Sequence, residues 1–271
     1  MSGCLVVRVA ANQEQDDGVP PAVYECNHFS CRWEPAAFTR SNNINLMGKK
    51  AGMAITKDQI KDLYKRRAGN YNFSANLYYL LGFREAGYRK LALSKLQLDK
   101  GDTAVEIGCG TGLNFKYVLD YIGQTGRIIG VDLSDAMLAK ARARISRNGW
   151  RNIKLLQMDA AEYTFPPNIK AVYSTFALTM VPEYAQIIEK AADALPTEGR
   201  LMILDLKRPQ HRPLWLIKLA VLITKPFGVT LDLVERKPWE VMKRYFTTVN
   251  IQELYGGFAY IAVGRKEERK L

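Results

Sequence analysis

The chain has 271 residues, 48% of them apolar and 24% charged, enough for a full core with the balance of an ordinary globule. Four cysteines without framework spacing exclude a disulfide scaffold and point to a reducing compartment. The formal net charge of +12 asks for an anionic partner: a lipid surface, a nucleic acid or an acidic substrate.

Residues 1–46 hold no persistent helical or strand period and are expected to be a disordered tail or an over-extended gene start. Met47 and Met53 offer later starts. The apolar patch Cys4–Ala11 is short and broken by Arg8, so a signal peptide is not expected. Cys26, His28 and Cys31 supply three zinc-type ligands without an evident fourth, and no metal is expected. Residues 47–100 read as a helical cap. Thr56 and Gln59 resemble a capping box, and Ile60, Leu63 and Tyr64 follow at helical spacing. A helix is expected to finish over Leu91–Leu98, before Lys100-Gly101-Asp102 turns into the first strand.

Residues 101–265 carry the alternation of a parallel α/β core. Val105-Glu106-Ile107 is a short buried-strand pattern and Phe115–Ile122 a helix. Ile128–Leu133 follows as a strand. Ser134 is an N-cap for Asp135–Arg147, which Gly149 stops. Ile153–Gln157, Ala171–Ser174 and Arg200–Leu206 are the remaining parallel strands, with a helix over Glu183–Leu195. Val249–Leu254 and Phe258–Gly264 read as an antiparallel hairpin, and residues 266–271 as a charged tail.

The chemistry concentrates in V-E-I-G-C-G-T-G-L-N-F, Val105–Phe115. Gly108, Gly110 and Gly112 at alternate positions let backbone approach a ligand closely, with Cys109 between them. Thr111 and Asn114 sit where a helix begins, so free N–H groups face the same ligand. Asp132, 20 residues beyond Gly112, stands where a carboxylate accepts from ribose hydroxyls. G-x-G-x-G is not the dinucleotide spacing G-x-G-x-x-G, and Glu106 would repel a pyrophosphate while attracting an ammonium group. Adenosine joined to an amino acid fits this site; NAD fits badly.

With the following G-V-D-L-S-D-A-M-L, this string resembles motifs I and II of class I S-adenosylmethionine-dependent methyltransferases. The resemblance implies a Rossmann-like doubly wound α/β sheet, mostly parallel, with S-adenosyl-L-methionine as cofactor. It places Glu106, Gly108, Cys109, Gly110, Thr111, Gly112, Asn114, Asp132, Leu133 and Met137 around that cofactor. Met158, Asp159 and Ala160 match the adenine-binding positions, and Thr175 opens the loop beneath the cofactor. The segment from Tyr64 to Lys90 resembles the N-terminal part of quinone C-methyltransferases and of bacterial phospholipid N-methyltransferases, with Ala68, Tyr71, Asn76 and Arg89 in comparable places. That match puts Tyr71 at the reacting methyl, with Tyr64 as a second candidate; packing in a helical cap is the other reading of both.

Residues 207–244 form an insertion with nine Lys/Arg against three Asp/Glu. Leu214–Phe227 within it is too short and too charged to span a bilayer. With Trp215 near one end it reads as an interfacial segment or a lid over an apolar substrate. Arg208, Arg212 and Trp215 are candidate substrate residues, and Lys207 and the two arginines would meet a phosphate or headgroup. His211, just after the fifth strand, is a candidate base or a surface residue.

The expected activity is methyl transfer to a hydrophobic or amphipathic small molecule, first an aminophospholipid-type lipid. Ring C- or O-methylation of a quinone or isoprenoid is the alternative. From another class, the chain would be a non-catalytic cofactor-binding regulator or nucleic-acid partner. The absence of N-P-P-Y argues against nucleic acid. The expected location is cytoplasmic, peripheral at the inner membrane face, with contact to anionic membrane.

Overall fold

The structure, a computed structural model, describes residues 24–27, 30–33, 83–210, 212–213, 215 and 235–267. Two compact units divide the chain, residues 1–51 and 52–271. In the first, within the stretch expected to be a disordered tail, β1 (Tyr24–Asn27) and β2 (Ser30–Trp33) pair antiparallel, with Cys26 opposite Cys31.

The second unit is built on a seven-stranded sheet. β3 (Thr103–Ile107), β4 (Arg127–Asp132), β5 (Ile153–Gln157), β6 (Ala171–Thr175) and β7 (Arg200–Leu206) run parallel. β8 (Thr248–Leu254) and β9 (Ala259–Arg265) form the antiparallel hairpin, β9 lying between β7 and β8. The order is β5-β4-β3-β6-β7-β9-β8. The chain winds one way from β3 and then restarts beside it at β6. That reversal opens a crevice at the carboxyl ends of β3 and β6, where ligands of open α/β sheets bind.

Helices cover both faces because the central strands are apolar on both sides. α1 (Glu85–Ser94), α2 (Phe115–Ile122) and α3 (Asp135–Asn148) bury Ala92, Leu93, Phe115, Val118, Ile122, Leu138 and Ala141 on one face. α4 (Tyr184–Ala194) and α5 (Pro238–Tyr245) bury Ile187, Ile188, Ala191, Val241 and Met242 on the other. Each such side chain contributes about 1.5–3 kcal/mol for the larger apolar types.

Local signals act as expected at α3. The Ser134 hydroxyl accepts from the Met137 N–H at 3.3 Å, and Gly149 closes the helix in the left-handed region. α1 departs from expectation. It starts at Glu85 and ends at Ser94 rather than Leu98, and Gln97 takes φ 51. That turn lets both Leu96 and Leu98 bury. Among the described residues no helix is long and apolar enough to cross a membrane.

Candidate functional site

The glycine loop between β3 and α2 takes the left-handed region at Gly108, Gly110 and Gly112, with φ of 68, 54 and 73. Its backbone is tied to β4 by the N–H groups of Gly108 and Cys109, both donating to the Val131 carbonyl at 2.8 and 3.1 Å. The glycines have separate jobs. A Cβ on Gly108 would lie 2.4 Å from Cβ of Ala177, and one on Gly112 would lie 2.4 Å from the Phe115 ring. A Cβ on Gly110 would meet nothing within 4 Å. Two glycines therefore allow loop, helix and the β6 loop to touch, and the middle one faces open space.

Asp132 ends β4 beside that space. Its Oδ2 accepts from the Gly110 N–H at 2.7 Å and its Oδ1 from the Ser134 N–H at 2.8 Å. Each oxygen has a further lone pair, so the carboxylate retains acceptor capacity on both atoms for a pair of neighbouring hydroxyls. Desolvation raises its pKa, and the two backbone N–H bonds oppose that rise. A ribose fits this donor and acceptor set. Met158, half-buried, follows β5, and its N–H donates to the Asp132 carbonyl at 3.1 Å. Asp159 Oδ1 accepts from the Ala161 N–H at 2.9 Å, with Ala160 half-buried between them. Leu133 is half-buried and Met137 buried on the same βα turn.

Beneath the loop lies a buried polar network. Glu106 is 1% exposed; its Oε1 meets the Asn114 Nδ2 at 2.5 Å and its Oε2 the Tyr173 hydroxyl at 3.1 Å. Asn114 is the residue before α2, but its side chain does not cap the helix. The amide instead bridges inward. Its Nδ2 also donates to the Thr175 hydroxyl at 2.8 Å, and its Oδ1 accepts from Arg89 Nη1 at 3.2 Å. Arg89 additionally donates to the Thr175 hydroxyl and, through Nε and Nη2, to Glu85 Oε1 at 2.9 and 2.6 Å.

Burial changes the electrostatics expected of Glu106. Desolvation raises its pKa to about 8, although Asn114, Arg89 and Tyr173 all favour the ionised form. Near neutrality the carboxyl is largely protonated rather than a bare anion. Cys109 is buried, and its thiol is pushed up by desolvation and by the neighbouring acids, so it is a packing residue of the loop.

At the carboxyl edge next to this network the side chains turn aromatic. Phe83 meets the rings of Tyr88, Phe176 and Tyr255 edge-to-face at 5.2, 5.8 and 5.2 Å. The Arg89 guanidinium lies 5.1 Å from the Phe176 ring centre. Phe176 and Tyr255 hold φ of 54 and 48, costly for bulky residues. Behind the β6 loop, the buried Asp205 accepts from the Thr179 N–H at 3.1 Å and holds the loop in place.

The substrate candidates are spread along the same edge. Arg208 is exposed and paired with Glu235 at 2.6 Å. Lys207 is buried, bonded to Glu253, and 5.5 Å from the Trp239 ring centre. The Arg212 guanidinium approaches Gly256, and Trp215 is 67% exposed. Tyr64, Tyr71 and His211 lie outside the described residues, as does Leu214–Phe227 apart from Trp215. In the sequence Glu85, Tyr173, Tyr255 and Asp205 carry no functional signal, and Arg89 stands out only by its match to the family pattern. Glu85 and Arg89 four apart look like a solvated helix pair; only burial turns them into part of a site.

Residues 104–199 match the family model of a methyltransferase domain. The chain is 29% identical over 159 residues to a demethylmenaquinone methyltransferase of Lactobacillus johnsonii, covering 58% of this chain and 64% of that one. It is 28% identical over 123 residues to that of Listeria monocytogenes, covering 45% and 52%. The chain thus spans between half and two thirds of the length of these relatives. Among solved structures, a putative methyltransferase complexed with the Haloferax volcanii Trm112 activator aligns with TM-score 0.61, 16% identity and 78% and 99% coverage. Phosphoethanolamine N-methyltransferase 2 of Haemonchus contortus aligns with TM-score 0.54, 16% identity and 66% and 52% coverage. At such identities these two show the fold. With the loop, acid and sheet order described above, the chain carries a class I S-adenosylmethionine-dependent methyltransferase domain and resembles the quinone methyltransferases.

Proposed function

We propose that the chain methylates a hydrophobic, ring-bearing small molecule of the quinol type, with S-adenosylmethionine as donor. The observation that carries this reading is the aromatic wall of Phe83, Phe176 and Tyr255 at the carboxyl edge, directly beside the donor loop. Offset and edge-on ring contacts suit a flat aromatic acceptor. The names of the curated relatives point the same way. The order of the two lipid readings is therefore reversed: ring methylation comes before aminophospholipid N-methylation.

The donor supplies a methyl already activated on a sulfonium. What remains for the chain is alignment at about 3 Å, exclusion of water and control of protons. Asp132 and the loop glycines would hold the nucleoside end of the donor, and Met158 with Ala160 would flank the adenine. The β6 loop, pressed against Gly108 through Ala177 and braced by Asp205, holds Phe176 beside the glycine loop. Phe83 and Tyr255 exclude water from the acceptor side. A tail on the acceptor would leave toward the exposed Trp215.

The test offers labelled S-adenosylmethionine with a short-chain demethylated quinol, and separately with phosphatidylethanolamine vesicles. Label in the quinol alone supports ring methylation, and label in the headgroup alone replaces it with the aminolipid reading. No label in either, with S-adenosylhomocysteine binding intact, overturns both.

A further inference from the structure

We infer that Arg89 is a positioning residue for the donor site: from α1 it fixes the orientation of the Asn114 amide, and through it the Glu106 carboxyl beneath the glycine loop. The inference rests on the donor reading of the site.

Hydrogen-bond polarity fixes which way the amide faces. Arg89 has only donors, so the Asn114 atom facing Nη1 must be the carbonyl oxygen. The other end of the amide is then the NH2 group, and it has two acceptors in reach, Glu106 Oε1 and the Thr175 hydroxyl. An inverted amide would set NH2 against the guanidinium, donor against donor in a buried site. Arg89 is itself oriented by Glu85, which takes Nε and Nη2 and leaves Nη1 for the interior. The Thr175 hydroxyl receives both Arg89 and Asn114, which occupies its two lone pairs and turns its proton out of the network. One guanidinium thus ties α1, the start of α2 and the end of β6 into a single arrangement.

The same arrangement sets the charge under the loop. Glu106 faces Arg89 from α1, Asp132 from β4, Tyr173 from its neighbouring strand β6 and Cys109 from the loop; Glu85 reaches it through Arg89. Arg89 is the cation of this set. Removing it takes away that charge and leaves the Asn114 and Tyr173 hydrogen bonds to oppose burial and Asp132. A ligand bearing an ammonium group binds the ionised carboxyl better, so its affinity rises as Glu106 ionises.

The test measures S-adenosylhomocysteine affinity by titration calorimetry across pH 6–9.5 for the wild type, Arg89→Met and Arg89→Lys. Thermal unfolding is recorded for each at every pH. The difference between variants at one pH cancels the ligand's own titration. Expected for Arg89→Met is an affinity loss of about 10- to 100-fold. Its pH midpoint for binding moves above that of the wild type. Arg89→Lys retains charge but cannot serve Glu85, Asn114 and Thr175 together, so it keeps the midpoint closer to wild type while losing affinity. It carries the test if Arg89→Met does not fold. Unchanged midpoints in both variants, whatever happens to stability, overturn the inference and leave Arg89 a packing residue. Absence of binding by the wild type overturns the donor reading along with it.

Discussion

Asp132 accepts the Gly110 N–H at 2.7 Å, so the acid placed for ribose recognition also holds the apex of the glycine loop. Asp132→Asn is informative because the amide has one acceptor atom where the carboxylate has two. One of the N–H groups of Gly110 and Ser134 would then face an NH2 donor. The expected outcome is a loss of S-adenosylhomocysteine affinity of about 10- to 100-fold, with a lowered melting temperature. Calorimetric titration and thermal unfolding of the same preparation check it.

Gly108→Ala meets two obstacles. Its φ of 68 strains any L side chain, and the new Cβ would lie 2.4 Å from Cβ of Ala177. Left-handed strain alone costs about 1–2 kcal/mol. Pairing the change with Ala177→Gly removes the contact and leaves the strain. Denaturant melts should therefore show partial recovery in the double variant; full recovery would mean that φ costs nothing here.

The raised pKa of Glu106 makes stability depend on pH. Folded, the group titrates at about 8 against an ordinary 4.5, so between those values the native state binds more protons than the unfolded one. Stability is then greatest below the lower value and falls as pH rises toward the upper, by at most about 1.4 kcal/mol per pH unit. Burial shifts Asp132 and Asp205 in the same direction. Urea melts from pH 5 to pH 8.5 should show this decline, and Glu106→Gln should make it shallower.

Tyr255→Asn separates the ring from the backbone it stands on. Asparagine tolerates the left-handed region that Tyr255 occupies at φ 48, so the turn is kept while the contact with Phe83 is lost. A ring acceptor should lose roughly tenfold in kcat/KM, consistent with the 1–1.5 kcal/mol of an aromatic contact. Binding of S-adenosylhomocysteine should stay near wild type. Steady-state kinetics with the quinol and a parallel titration decide between an acceptor role and a donor role.

Much of the architecture was legible before folding because it depends on local signals. Phe115–Ile122 and Arg200–Leu206 are found as read, the first from its 3.6-residue apolar period and the second from a short apolar run opened by the turn at Gly199. Ser134 and Gly149 bound α3 through backbone chemistry confined to a few residues. The glycine spacing and Asp132 announced the ligand class for the same reason: close backbone approach and a carboxylate at a strand end are properties of short stretches.

Tertiary structure decided what those residues do to one another. Glu106 in a sequence is a charged side chain; in the fold it is an enclosed carboxyl with its pKa raised to about 8, because the sheet and α2 remove its water. Asn114 in the sequence marks only a helix start; in the fold Arg89, 25 residues earlier, turns its amide inward. Phe83, Phe176 and Tyr255 are separated by most of the domain and meet only because β9 runs back antiparallel to β7 and returns its turn to the ligand edge. Identity and period set the elements; burial and long-range contact set the charge, orientation and company of the groups that act.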